Sequence, residues 1–432
     1  MNYIKQILYE LKTQKMVTWI SISGTSLAIF LVMAIFMGDR LREIEMAPAS
    51  LRSRIVIGMS VDFRYNDRGG SGSGMGIDPG LAKNIYGNLD GVEKISFVEL
   101  TWGQSDLGVQ NGPNISAQTL GVDEEYWKIY DYKFISGNPF TKEEIESDNK
   151  LAILNESVAR AIFNETDVTG RQIDINNVPY IIKGVIENSF PLLPDGTVSV
   201  FTNYKPEFDA SEFGEGIFGK SNVRLLLKDG INPDYIKQQV EKKYTDANRL
   251  LEKTNQTLFY HKQPYTSAEL AAGSFGSNRD PNLDSERKYR ALIYVILLLL
   301  PAINLSNMTR SRLLNRVSEI GVRRAFGAKR KSIIAQIFTE NLLMTFIGGC
   351  IGLCLSLIFL AFLSGYFIVF NDPTTFEAIE SANVGSVIWH VFDFSAFFIA
   401  FGACFILNVM SATVPAWRAS AIEPAVAISK LR

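Results

Sequence analysis

Two histidines, His261 and His390, are all the imidazole this 432-residue chain carries. His390 lies beside an apolar run, so a zinc site built on paired histidines is not available. No H-E-x-x-H, G-x-S-x-G or Walker A string occurs. That removes the usual routes to metal-assisted hydrolysis, acyl transfer and nucleotide hydrolysis, and catalysis by this chain is not expected. The nearest approach to a phosphate loop is Arg68 to Gly76, RGGSGSGMG. It lacks the Gly-Lys-Ser/Thr ending that brings a lysine to the phosphates, and it reads as a flexible loop. The stretch best suited to physical work is Arg310 to Lys331, RSRLLNRVSEIGVRRAFGAKRK, where eight basic side chains face only Glu319. Leu313, Val317 and Ile320 recur in it at helical spacing, while Gly321 and Gly327 allow close approach or a helix end. Such a segment suits a short helix offered to a protein partner. A solvated basic loop is the competing reading of the same pattern.

The elements that position this stretch are four apolar runs. Val17 to Met37, Ala291 to Met308, Leu342 to Leu363 and Phe394 to Val414 contain no charge, and about 20 mostly apolar residues suffice for one helical crossing of a bilayer. The first run is longer than a secretory leader's apolar core. The Ala47-Pro48-Ala49 triplet lies beyond the charged stretch Asp39 to Glu45, so the run reads as an anchor. Between runs two and three the loop is basic; between three and four it holds Asp372, Glu377 and Glu380 and no Lys or Arg. The side that retains positive charge is the cytosol, which places the basic loop and both termini inside and the acidic loop outside. Glu340 and Asp393 are the ionisable residues nearest the spans. Both are expected at span ends reached by water, which disfavours a proton-coupled carrier.

Spans are therefore expected at 17–37, 289–309, 333–363 and 387–414. Residues 1–16 read as a cytosolic interfacial amphipathic helix, 310–332 as a cytosolic coupling segment, 364–386 as a short outer loop and 415–432 as a cytosolic tail. Residues 38–288 form one large outer domain of mixed α/β class. In it, Arg54–Met59, Pro79–Leu89 and Val92–Leu100 read as one βαβ unit, and Val223–Lys228, Pro233–Lys243 and Thr257–His261 as a second. Together, 38–100 and 216–288 would make a porter-like half, with 101–215 inserted as a β-rich subdomain. The insert is expected to hold a helix at Asn155–Phe163 and strands Gln172–Ile175 and Tyr180–Ile186 joined at Asn176-Asn177. Ala271 to Asp280 reads as a Gly/Ser-rich hinge. The near balance of 43 basic and 45 acidic residues gives no sign of nucleic acid. All three cysteines, Cys350, Cys354 and Cys404, fall within spans, so the outer domain folds without disulfides, as a domain of this size is able to.

The string Glu319-Ile320-Gly321-Val322-Arg323-Arg324-Ala325-Phe326-Gly327-Ala328, followed by Gln336, Glu340 and Gly348-Gly349, resembles the signature of the MacB/FtsX family of ABC transporter permeases. Pro415-Ala416-Trp417-Arg418-Ala419 with Glu423-Pro424-Ala425-Val426-Ala427 is similar to the family's ending. Glu423 stands where the family commonly has Asp, and Trp417 where a basic residue is frequent. In the outer domain, Phe134–Gly137, Leu154–Ala159, Gly170 and Ile181–Val185 resemble the family's periplasmic core.

The resemblance implies a permease that dimerises with a second copy or a paralogue and sits over a separate ABC ATPase of the MacB, LolD or FtsE kind. ATP and Mg would be held there, and no cofactor or metal by this chain. Arg316, Glu319, Gly321, Arg323, Arg324, Ala325, Gly327 and Ala328 would meet the ATPase, and Pro415, Arg418, Glu423 and Pro424 would form the tail motif. Gly24, Gly348, Gly349 and Gly352 suit close helix packing in the bilayer rather than a polar pore. The implied location is the bacterial inner membrane with the large domain in the periplasm. The implied function is export driven by mechanotransmission, with an adaptor and outer-membrane duct in a two-membrane cell. Control of cell-wall hydrolases, antimicrobial-peptide sensing and lipoprotein extraction are the alternatives.

Overall fold

The computed structural model describes residues 15–41, 44–59, 61–67, 69–74, 76–101, 103–110, 112–147, 149–189, 195–208, 217–252, 255–272, 280–297, 299, 322, 326–371, 392 and 394–421. The chain divides into two compact units, one of residues 1–39, 287–362 and 388–432, the other of 40–286 and 363–387. Helix α1 is Lys15–Leu41. The second unit then runs through β1 (Ile55–Gly58), β2 (Val61–Tyr65), β3 (Gly70–Gly74), α2 (Pro79–Tyr86), β4 (Val92–Leu100), β5 (Ser105–Gly108), β6 (Asn114–Ala117) and β7 (Thr119–Val122). It continues with α3 (Tyr126–Ile129), β8 (Phe134–Gly137), α4 (Lys142–Glu146), β9 (Leu151–Asn155), α5 (Glu156–Phe163), β10 (Gln172–Ile175), β11 (Val178–Ile186) and β12 (Val200–Asn203). It ends with β13 (Ser221–Leu227), α6 (Pro233–Leu251), β14 (Gln256–Phe259), β15 (Tyr265–Thr266) and α7 (Ser267–Ala272).

One large sheet carries the strands in the order β15-β1-β13-β4-β7-β12-β9-β11-β10-β5-β6, with β8 also on β11. At its start, β13 lies between β1 and β4, and β1 lies between β13 and β15, all antiparallel to their neighbours. The two βαβ units, β1-α2-β4 and β13-α6-β15, are thus interlocked, each unit's strand filling the gap in the other. Within the second unit, strand identity differs from the sequence reading. The segment expected to close the second unit, near Thr257–His261, pairs instead with β2 in a separate sheet of order β14-β2-β3. The true closing strand is the two-residue β15, too short to leave a periodic signature.

All seven residues of β13 are buried, because both faces of this central strand are covered. Val223, Leu225 and Leu227 pack under α2 and α6, while Leu226 faces the opposite core with Ile55, Ile57 and Val98. This is the two-residue alternation of a strand acting on two cores at once. Helix α6 buries Ile236, Val240, Tyr244, Ala247 and Leu251, a single helical stripe. It starts at Pro233, where the Asn232 side chain accepts the Asp234 N–H at 2.9 Å. Helix α2 starts the same way, with Asp78 accepting from Leu81 N–H at 3.0 Å ahead of Pro79.

The insert begins after β4. Its α5 is capped by Asn155, which accepts from Val158 N–H at 3.0 Å. The β10–β11 hairpin turns on Asn176 and Asn177, at φ +51° and +64°, the pair of left-handed residues that a two-residue hairpin loop needs.

The Gly/Ser stretch read as a flexible loop is a strand in register with β2, Gly72 opposite Phe63. A Cβ at Gly72 would fall 2.5 Å from the Phe63 ring and 2.8 Å from Phe218, and one at Gly74 only 2.3 Å from Phe218. Glycine is used here so that aromatic rings can lie flat on the strand.

In the first unit, helix α8 covers 283–297, α9 is Arg330–Asn371 and α10 is Phe394–Ala421. Two stretches among the described residues, Thr18–Arg40 and Lys331–Phe359, are long and apolar enough to cross a membrane, and Phe394–Leu407 is a shorter apolar stretch. A Cβ on Gly352 would come within 2.5 Å of the Ser26 carbonyl oxygen, and one on Gly348 within 2.9 Å of Thr25. Gly349 lies between the two neighbours, 3.1 Å from the Phe401 ring of α10 and 3.3 Å from Ile29 of α1 by the same construction. The glycine cluster of α9 therefore lets α1 approach at backbone distance while α10 closes on the neighbouring face. Gly24 is half-buried on α1.

Candidate functional site

Of the expected coupling residues, Gly327 and Ala328 are among those described, while Arg316, Glu319, Gly321, Arg323, Arg324 and Ala325 lie outside them. The Phe326 N–H donates to the Val322 carbonyl at 3.0 Å, and Gly327 follows with φ +92°. A Cβ at Gly327 would meet nothing within 4 Å. The glycine therefore serves the left-handed backbone, and no described atom of this chain crowds it. The chain re-enters helix at once, Ser332 N–H donating to the Lys329 carbonyl at 3.0 Å to open α9.

This tight turn leaves Phe326 88% exposed, with Val322 at 39%. Sequence reasoning passed over Phe326, although it is the one aromatic residue in the basic stretch. An exposed ring beside a helix end, ringed in sequence by arginine and lysine, has the composition of an anchor for a protein partner.

Glu340 was expected at a span end in reach of water. It sits instead inside the candidate span Lys331–Phe359 and is 8% exposed, with Gln336 Nε2 donating to its Oε1 at 3.2 Å. The reason is that α9 starts well before the apolar run, at Arg330. Asp393, the other residue so placed, lies outside the described residues. The tail motif begins within a helix, since α10 runs through Pro415 and Arg418. Glu423 and Pro424 are outside the described residues, as are 1–14 and the greater part of the expected hinge.

The outer domain offers polar chemistry of a structural kind. Arg224 on β13 is 4% exposed and donates from Nη2 to Asp195 Oδ1 at 3.1 Å. Asp195, at φ +53°, also accepts from the Tyr126 hydroxyl at 3.1 Å. Tyr126 stacks among Trp127, Tyr130, Tyr132 and Phe201. Burial pushes the Tyr126 phenol well above its ordinary range, and the Asp195 charge adds to this. One polar link through an aromatic cluster thus ties the β13 strand of the interlocked units to the insert. Asp123 accepts from Ser96 Oγ and Phe97 N–H at 2.7 Å and from Tyr126 N–H at 3.0 Å. Burial pushes its carboxyl up to about 6 against the pull of those bonds. His261 lies between two carboxylates, 3.0 Å from Asp62 and 3.4 Å from Asp280. Among the described residues no group of His, Cys, Asp and Glu has the geometry to hold a metal.

A family model described as the MacB-like periplasmic core domain matches residues 18–243, and one described as the FtsX-like permease C-terminal matches 291–424. The chain belongs to the MacB/FtsX permease family. The chain thus pairs an α/β domain of the MacB-like periplasmic core kind with an FtsX-like permease part. Similar curated proteins include the macrolide export ATP-binding/permease protein MacB of Salmonella paratyphi A, 26% identical over 59% of this chain and 37% of that protein. Another is MacB 1 of Yersinia pestis bv. Antiqua, 25% identical over 64% of this permease and 41% of that protein. The permease thus spans about two fifths of the length of the curated relatives it matches. A solved structure similar to it is the periplasmic region of MacB from Actinobacillus actinomycetemcomitans, 15% identical, with a TM-score of 0.32 over 46% of this chain and 88% of that one.

Proposed function

We propose that this permease is the membrane subunit of an ABC exporter of the bacterial inner membrane. A separate ATPase chain, holding ATP and Mg, drives it from the cytosol. In this reading four helices cross the bilayer: α1, the segment 289–309, α9 and α10, with both termini inside and the α/β domain outside. Two permease copies, or this chain and a paralogue, pair over an ATPase dimer. The turn at Val322–Gly327 is the docking element. Phe326 enters an apolar groove of the ATPase, Gly327 holds the bend that presents it, and Glu319, Arg323 and Arg324 make the charged contacts around it.

The observation that carries this reading is the 88% exposed Phe326 at a turn inside the family-matched segment. An exposed aromatic ring at a bend, set in a strongly basic stretch, has the composition of an anchor that a protein partner covers. Closure of the ATPase would push this turn and shift the helices attached to it. Cargo handled by the outer domain would then be moved without crossing the bilayer through this chain. The names of the relatives support export as the class of activity.

The test is copurification. Phe326→Ala, and separately Arg323→Glu combined with Arg324→Glu, are expected to lose the ATPase from a gentle-detergent pull-down while the permease still inserts. Retention of the ATPase by both variants would remove the docking assignment. Labelling of Ser318→Cys by an impermeant thiol reagent on intact spheroplasts would overturn the orientation.

A further inference from the structure

We infer that Asp39, Arg290 and Tyr294 form a clamp that holds the end of α1 and the body of α8 as one rigid pair. Asp39 lies in the last turn of α1. Its Oδ1 is 3.1 Å from Arg290 Nη1, and its Oδ2 accepts from the Tyr294 hydroxyl at 3.3 Å. Arg290 and Tyr294 are four residues apart on α8, one helical turn along the same face. Two oxygens of one carboxylate are therefore held from two successive turns of the facing helix. A single bond would let α8 swivel about its axis. Two bonds a turn apart fix both its rotation and its height against α1.

The energetics point to design rather than accident. A carboxylate in the last turn of a helix opposes the helix dipole, so Asp39 is poorly placed unless a cation answers it from elsewhere. Asp39 and Arg290 are about three-quarters buried, with side-chain exposures of 24% and 26%. Less water screens the pair there than on an open surface. The pair also joins elements distant in the chain, the first apolar helix and the helix that leads into the second apolar run.

What the clamp does in transport rests on the proposed function. A push entering at the inner turn travels along the segment that begins with α8. If α8 and α1 are locked, the two helices move together and the displacement is not lost in a swivel. Asp39, Arg290 and Tyr294 are positioning residues, remote from any cargo.

The experiment uses the full chain in nanodiscs, with Cys350, Cys354 and Cys404 replaced by Ser and spin labels on Gly38→Cys and Leu292→Cys. A Cβ at Gly38 meets nothing within 4 Å, and Leu292 is exposed. Labelled chain is diluted into unlabelled chain so that distances within one chain are read. The parent is expected to give one narrow distance peak. Asp39→Asn and Arg290→Gln should each lose it to a broad distribution, and Asp39→Arg combined with Arg290→Asp should recover it. Tyr294→Phe, which keeps the ion pair, should broaden it least and gives a readout even if loss of charge prevents insertion. An unchanged peak in Asp39→Asn and Arg290→Gln, or in Tyr294→Phe where those do not insert, overturns the clamp. Failure of the reversed pair to restore the peak overturns its ionic basis. If the clamp behaves as expected but no ATPase copurifies with the parent chain, the clamp stands and the transport reading falls.

Discussion

In the outer domain the buried Arg224 and Asp123 are tied to partners distant in the sequence; in the turn ahead of α9 an aromatic ring is left exposed. Arg224 and Asp195, 29 residues apart, meet at 3.1 Å beside the Tyr126 ring. Asp123 reaches back to Ser96 and Phe97. Phe326, by contrast, is 88% exposed with its backbone bond satisfied only locally. The first region spends its polar groups on holding one arrangement of strands; the second keeps an apolar group out of the core. Damage to the first should unfold, and damage to the second should disconnect.

The most severe way to break this contrast from the outer side is Asp195→Ala. It leaves the Arg224 guanidinium buried without its carboxylate, and removing one member of a buried pair typically costs about 3–5 kcal/mol. Chemical denaturation of the detergent-solubilised chain, followed by tryptophan fluorescence, should show a loss of that size. A loss within about 0.5 kcal/mol, the size expected of a surface substitution, would mean that the link does not hold the insert to the β13 strand. Next in size is a pH effect. The folded Asp123 carboxyl titrates at about 6 against an ordinary value of 3.8, so between these pH values the folded chain binds the proton more tightly than the unfolded chain. Its contribution is therefore fully present below about pH 4 and is lost as pH rises to 6, an effect on the order of 3 kcal/mol. Asp123→Asn should abolish this part of the pH slope, and equal slopes for the two chains would contradict the assignment.

The helix contact of the first unit lies between these extremes. Gly352→Ala places a Cβ against the Ser26 carbonyl, which is backbone and gives way only if α1 moves. Overpacking of this kind costs about 1–3 kcal/mol, read as a lower melting midpoint in detergent. Gly349→Ala should cost less, since its nearest neighbours are the Phe401 ring and the Ile29 side chain. An inverted order would show that α10, not α1, is the tighter neighbour of α9.

Much of this contrast was legible in the residues themselves. Asn232-Pro233, Asp78-Pro79 and Asn155 announce helix starts because their side chains answer open backbone N–H groups within three residues. Asn176-Asn177 announces its hairpin for an equally local reason. What escaped depends on distant partners. The glycine strand β3 reads as a loop until Phe218, about 145 residues further on, is seen to cover it. Strand β15 is two residues long and is defined only by lying beside β1. Arg224 reads as a break in an apolar strand, and its partner Asp195 and the ring of Tyr126 cannot be paired with it by spacing. In the membrane unit, glycine spacing on α9 pointed to close packing, whereas the burial of Glu340 follows from where α9 begins, which the apolar run does not mark.

Phe326→Ala is the smallest expected perturbation of the fold and the sharpest test of the contrast. The ring contacts mainly water, so its removal should change stability within about 0.5 kcal/mol. The same change removes the large apolar surface of the turn, and truncating an anchor of this type costs a partner's binding at least about 2 kcal/mol, a thirtyfold loss of affinity. Melting and pull-down on one preparation read both quantities. Unchanged melting with lost ATPase places Phe326 in the interface; lowered melting would place the ring inside a contact of the permease itself. Gly327→Ala separates geometry from surface, because it keeps Phe326 while straining a backbone held at φ +92°. If presentation of the ring is what matters, Gly327→Ala should weaken the partner while leaving the outer domain's denaturation midpoint where it was.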